Sequence, residues 1–244
     1  MEKIIFCLLA VLIFIGCSSP TDSTGGNDGL VINRDAGTYI ITGSGTSFTA
    51  RNEGVTVGAA NQSIFNVIGA IRNDASGKDC TIQFEDSGKT LDIGMKNITF
   101  YGDNWGLITL TGAITSDYDF NMVIKIEYGI SVDSTADIKN TSAFSNTYGI
   151  YNSGTLNIRS GSISTAGTTN YVVYNHGPGT LNISGGTISS AHNTSYAVYS
   201  RGTVNISGGE ITVTGTNSYA VYNDGGTANI TGGNITGEKY GVND

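Results

Sequence analysis

The chain has 244 residues, with 20 Asp and Glu against 12 Lys and Arg and a net charge of −8. That balance excludes the basic surface that nucleic-acid phosphates require, and the length suits one domain with a tail. Glycine is abundant at 35 residues and proline scarce at 2. Ile, Val, Leu and Tyr nevertheless recur at fixed spacing through the polar second half, a regularity that a disordered polar tract lacks.

The N-terminus reads as a targeting segment. Lys3 supplies a short positive region, and Ile4 to Ile15 is an apolar run too short to span a bilayer comfortably. Phe14-Ile15-Gly16-Cys17 resembles a bacterial lipobox, although Phe14 departs from the usual aliphatic residue at that position. The resemblance implies a lipoprotein signal peptide over residues 1–16, lipidation of Cys17 and a membrane partner through that lipid. It also implies a location on the outer membrane or cell surface. Residues 17–29 then form a polar tether that extends at most ~40 Å. Cys7 falls in the signal and Cys17 takes the lipid, so Cys80 has no partner for an internal disulfide and reads as a small core residue.

Residues 30–89 read as an irregular β cap and first coils, with strand-rich segments at 31–41 and 64–84 that cannot be registered. Repeats follow over 90–244. YGIYNSGTLNIRSGSIS begins at Tyr148, and related units begin at Tyr171, Tyr196, Tyr219 and Tyr240, at periods of 23, 25, 23 and 21 residues. Upstream, YGISVDSTADIKN from Tyr128 aligns without gaps to the Tyr148 unit. WGLITLTGAIT from Trp105 reads as a degenerate copy, and TLDIGMKNIT from Thr90 matches TLNISGGTIS from Thr180. Taking Thr90, Thr109, Thr135, Thr155, Thr180, Thr203 and Thr227 as the openings of one strand gives about seven coils. A fixed period in this range marks a solenoid. Each unit holds three short Ile/Val/Thr/Tyr-rich runs broken by Gly-containing turns. The expected fold is therefore all-β, a right-handed parallel β-helix of about seven coils of 20–25 residues, its hand following the general bias of parallel crossovers. One unit buries about four aliphatic side chains, worth ~6–12 kcal/mol, against at least ~1 kcal/mol of ordering for each of its residues. No unit is stable without neighbours above and below. The recurrent YxVYN, TLNI and SGGxI segments resemble the bacterial β-helix repeat proteins that share a pectate-lyase-like fold.

Alternation assigns the faces. Leu156, Leu181, Val204 and Ala228 form one inner row, Ile158, Ile183, Ile206 and Ile230 a second, and Ile163, Ile188, Ile211 and Ile235 a third. In the YxVYN strand either tyrosine is a candidate for the outside. The Tyr128 alignment, with Val132 against Asn152 and Ser131 against Tyr151, places the first tyrosine, the valine and the asparagine inward. Asn152, Asn175 and Asn223, with Ser200 and Asp244 in register, then stack at an inner corner. Tyr151, Tyr174, Tyr199 and Tyr222 form an exposed stripe, which reads either as cross-strand packing or as a platform for the apolar faces of sugar rings.

The search for chemistry is spare. No metal-ligand spacing of His or Cys is present; His176 and His192 read as surface turn residues. Asp117 and Asp119 alternate on one face, and Asp92 and Asp137 are expected in the outer row that Asn157 and Asn182 later occupy. Pectate-lyase-like enzymes use clustered aspartates for Ca²⁺ and a basic residue as proton acceptor. Arg159 and Arg201, the arginines of the regular coils, have no acidic cluster in register, so no catalytic residue is carried over, and no cofactor or metal is expected. The leading expectation is a lipid-anchored protein for non-enzymatic binding or adhesion, with glycan as ligand. The alternative is a polysaccharide lyase or glycoside hydrolase with its site in the irregular region before residue 128, and a third reading is a structural spacer or an ice-binding-like Thr/Asn face. The array ends one strand into a new coil, which points to self-association through an uncapped coil or to a longer array.

Overall fold

The computed structural model describes residues 37–84, 89–118 and 121–243. Cys17, Asp119, Asp244 and the segment 31–36 lie outside the described residues. The chain winds into an all-β parallel solenoid of about seven turns, each contributing to three faces, here A, B and C.

The regular coils follow one plan. In the fourth coil, Thr155–Ile158 lies on face A, Ser162–Thr165 on face B and Tyr171–Asn175 on face C. The next two coils repeat this as Thr180–Ile183, Thr187–Ser190 and Tyr196–Ser200, then Thr203–Ile206, Glu210–Val213 and Tyr219–Asn223. Like residues sit directly over one another: Leu181 pairs with Val204, Ile188 with Ile211 and Val198 with Val221. The three expected aliphatic rows are the core, fully buried from Leu156, Ile158 and Ile163 to Val204, Ile206 and Ile211. Cover thins in the last described coil, where Ile230 and Val242 are 38% and 42% exposed.

The first copies sit in a different register from the one the sequence suggests. Ser131, not Thr135, pairs with Thr155, so Ser131–Ser134 is the face-A strand. Its YxVYN equivalent is Met122–Ile126, with Met122 under Tyr148 and Lys125 under Tyr151. Thr109 pairs with Asp133 and so lies in the Asn157 row, while Leu91-Asp92 belongs to face B, against Ile114-Thr115. The ungapped alignment fails because Tyr128 lies in the turn between Met122–Ile126 and Ser131–Ser134, which is longer than the turn between Tyr148–Asn152 and Thr155–Ile158, while the A-to-B turn is shorter in the early coils. Ile108–Ser116 even runs straight from face A onto face B. Gly112 makes that corner; its φ is +80°, and a Cβ there would lie 2.2 Å from the Phe84 carbonyl oxygen. The ladder reaches back past Thr90 to Cys80–Phe84, which lies parallel to Ile108–Gly112.

The cap is mixed. Thr38–Ser44 adds a parallel strand to Cys80–Phe84, then continues through antiparallel partners Ser47–Asn52 and Val55–Gln62. Residues 64–75, read from sequence as strand-rich, instead form an α-helix, Ile64–Ala75. Ile64, Val67, Ile68, Ile71 and Ala75 are its buried residues, at the spacing of one helical face. Ser63 caps it by accepting from the Asn66 amide at 3.2 Å. β-branched content suggested a strand, but the period of burial decided the element. The helix packs on the Ser47–Asn52 and Val55–Gln62 strands and on Ile98–Phe100.

Two polar seams run inside the corners. At the C-to-A corner Asn152 donates to Asn175 at 2.8 Å, and Asn175 to the Ser200 hydroxyl at 3.0 Å. These amides also bond turn carbonyls, as Asn152 does with Gly154 at 3.2 Å. A second seam, at the B-to-C corner, comprises the buried Thr147, Asn170, Ser195 and Ser218. Thr147 donates to Asn170 at 2.8 Å, and the Ser195 amide to Ser218 at 3.1 Å. Such groups must be satisfied where water is excluded.

Candidate functional site

Face C carries the most distinctive surface. Each regular strand buries its second, third and fifth residues and leaves the first and fourth half-exposed. The ladder pairs skip the second residue, which is Gly149, Val172, Ala197 or Ala220. That irregularity turns two neighbours inward together and breaks the alternation. Tyr151, Tyr174, Tyr199 and Tyr222 face outward, as the sequence suggests. The first tyrosines, expected inside, face outward as well.

The result is a double aromatic column. Tyr148, Tyr171, Tyr196, Tyr219 and Tyr240 stack at successive centroid distances of 5.4, 5.1, 5.3 and 5.6 Å. Tyr151, Tyr174, Tyr199 and Tyr222 stack at 5.2, 5.2 and 5.4 Å. Rings of one column meet those of the other edge to face, as Tyr171 meets Tyr199 at 5.2 Å and 87°. Both geometries are favourable for aromatic quadrupoles. The strand ladder positions each backbone, and each ring packs against its neighbours along and between the columns.

Polar groups border it. His176 stacks on Tyr151 at 5.7 Å. Arg201 lies 5.8 Å from the Tyr199 ring centre, and Lys239 lies 5.4 Å from that of Tyr219. Asp224 accepts hydrogen bonds from the Tyr199 hydroxyl and, at 2.7 Å, from Arg201 Nε. Burial among the rings raises the hydroxyl pKa values of Tyr148, Tyr151, Tyr171 and Tyr196, and the bond to Asp224 adds to the rise at Tyr199. The Asp224 carboxyl is lowered, first by the Tyr199 hydroxyl and then by Arg201. These tyrosines are therefore neutral through the physiological range. His176, Arg201 and Asp224 each directly follow the fifth residue of a face-C strand, so they stand in register one coil apart, and that position was the signal the sequence carried.

Face A carries a different row. Asn229 donates to Asn205, Asn205 to Asn182 and Asn182 to Asn157, at 2.8, 2.7 and 2.7 Å. Asn157 then donates to Asp133 at 2.6 Å. Asp133, rather than Asp92 or Asp137, is the acidic member of this row, and it also accepts from Arg159 Nε at 2.8 Å. Asp137 lies on face B, where it accepts from the Ser162 hydroxyl at 2.7 Å, and Asp92 accepts from the Gly94 amide at 2.9 Å. Both regular-coil arginines thus have one carboxylate partner each, at 2.7 Å. Among the described residues no group of three or more His, Cys, Asp or Glu converges as metal ligands would.

No family model, curated protein or solved structure matches the chain.

Proposed function

We propose that this is a lipid-anchored surface protein of the pectate-lyase-like β-helix type, held to a bacterial membrane through Cys17, which binds glycan without turning it over. The observation that carries this reading is the double tyrosine column. Nine preordered rings offer an uncharged surface onto which the C–H faces of sugars stack, while His176, Arg201 and Asp224 stand at its border to meet hydroxyls. Preordering matters because flexible side chains lose ~0.5–1.5 kcal/mol each on being immobilised by a ligand.

The test is a broad glycan array probed with mature protein. Retention of a defined glycan class, weakened at least tenfold by Tyr171→Ala or Tyr174→Ala with the fold intact by circular dichroism, supports the reading. Absence of any retained glycan, or variants that change stability alone, defeats it. The stacked Thr155, Thr180 and Thr203 beside the Asn ladder favour one second reading, a water-ordering face. Thermal hysteresis of ice growth tests it.

A further inference from the structure

A second group of exposed aromatics lies away from the tyrosine columns, at the first C-to-A corner. Tyr128 is 78% exposed and Phe65 58%. At Tyr128, the turn that follows Ile98–Phe100 and the turn that follows Met122–Ile126 form a pocket of about 150 Å³. Asp103, Asn104, Trp105, Tyr128 and Ile130 line it. Its walls are held from behind. The Trp105 indole donates to the Tyr101 carbonyl at 3.3 Å and meets Phe100 edge-on at 5.7 Å. Tyr101 is clamped between Phe65, stacked at 5.2 Å, and Arg72, 4.8 Å from its ring centre. The Asn104 backbone sits at φ +76°, a left-handed conformation that asparagine tolerates, and the Gly77 amide fixes it by donating to the Asn104 carbonyl at 2.9 Å.

We propose that this pocket binds one neutral sugar ring with vicinal hydroxyls. The Trp105 and Tyr128 rings would take the apolar C–H face. The Asp103 carboxylate would accept from two hydroxyls, and the Asn104 amide would both donate and accept. The volume is below the ~300 Å³ at which pockets for drug-sized ligands begin, and suits a single ring. The carboxylate repels a uronate. The choice of sugar as ligand class rests on the glycan reading above; the pocket geometry does not.

Trp105 is the one tryptophan of the chain, so intrinsic tryptophan emission reports this pocket and not the tyrosine face. The mature protein would be titrated with methyl glycosides of neutral hexoses, N-acetylhexosamines and uronic acids, and with matching tetrasaccharides. A saturable emission change with a neutral glycoside, weakened at least tenfold by Tyr128→Ala and by Asp103→Asn but unmoved by Tyr174→Ala, supports the proposal. Calorimetric titration of Trp105→Phe should show the same loss of affinity. No emission change with any probe up to high millimolar concentration overturns the proposal, as does a change that survives both pocket variants. Tetrasaccharide binding that is lost in Tyr174→Ala while Trp105 emission stays constant overturns the pocket and upholds the face. An emission change that meets the criteria, with tetrasaccharide binding indifferent to Tyr174→Ala, upholds the pocket and overturns the face.

Discussion

The buried corner amides make a quantitative claim about what holds the coils together. Asn175 is completely buried. Its oxygen accepts from Asn152 at 2.8 Å, and its Nδ2 has three acceptors in reach: Gly179 O at 3.2 Å, Ser200 Oγ at 3.0 Å and Thr203 O at 2.9 Å. Two amide hydrogens serve two of these at a time, so Asn175→Ala removes about three hydrogen bonds. At ~1 kcal/mol net for each, with a further ~1 kcal/mol for a turn carbonyl left dry, the expected loss is about 3–4 kcal/mol. Asn182 is the control. It also has two amide bonds, to Asn157 and from Asn205, at 2.7 Å each. It lies on the half-exposed outside of face A, where water replaces what is lost, so Asn182→Ala should cost no more than ~1 kcal/mol. Asn175→Ser should fall between, because Ser200 already fills this position one coil on. Urea unfolding followed by circular dichroism measures all three, provided the slope with denaturant is unchanged. Equal costs for Asn175→Ala and Asn182→Ala, within about 0.5 kcal/mol, would refute the reasoning.

Three further outcomes follow from local geometry. Thr194 sits at φ +56°, in the turn position that Asn146 and Asn217 occupy in other coils; Thr194→Asn should raise stability by ~1 kcal/mol, since asparagine tolerates left-handed backbone and a β-branched residue does not. Gly186 combines φ +78° with carbonyls 2.9 Å from any added Cβ, whereas Gly225, at +76°, has open space, so in thermal melts Gly186→Ala should cost more than Gly225→Ala, by ~1–2 kcal/mol. Burial pushes the Cys80 thiol up to about 12, with Asp79 adding to the rise. Because the folded form prefers the protonated thiol, this group's contribution to stability is complete below the unfolded pKa, ~8.5, and is lost as pH rises toward 12. At pH 8 iodoacetamide should modify Cys80 only after unfolding, as peptide mapping would show.

How much the sequence reveals depends on how strictly each coil repeats the last. The Leu156, Ile158 and Ile163 rows are legible because an aliphatic side chain recurs at one spacing and nothing else in the unit competes for the core. The inner Asn152 seam is legible for the same reason. The first tyrosine of each strand was not, because alternation was carried across Gly149, Val172, Ala197 and Ala220, where the strand turns two successive residues inward. A tyrosine placed before a buried valine looks interior on pattern alone. The early coils were misregistered because Thr and Ser are equally at home in turns and outer rows. Thr135 therefore looked like the match for Thr155 when Ser131 was the true partner. The helix was hidden by Ile and Val content that favours strands, although Ser63 and the spacing of Ile64, Val67, Ile68 and Ile71 carried its signal.

Stacking also explains why one face becomes a candidate site and the others do not. In a parallel ladder each outer position is repeated every ~4.8 Å, so a residue chosen once per unit becomes a continuous surface. On face A the repeated residue is an amide, which spends its donors on the next amide and ends in Asp133, leaving little unsatisfied. On face C the repeated residue is tyrosine, whose stacking covers the ring faces along the column but leaves the side chains half-exposed. The column stops where Lys125 and Met122 replace tyrosine in the second coil. Below that point the aromatic side chains shift to the corner, as Trp105 and Tyr128, and change from an open face to a pocket.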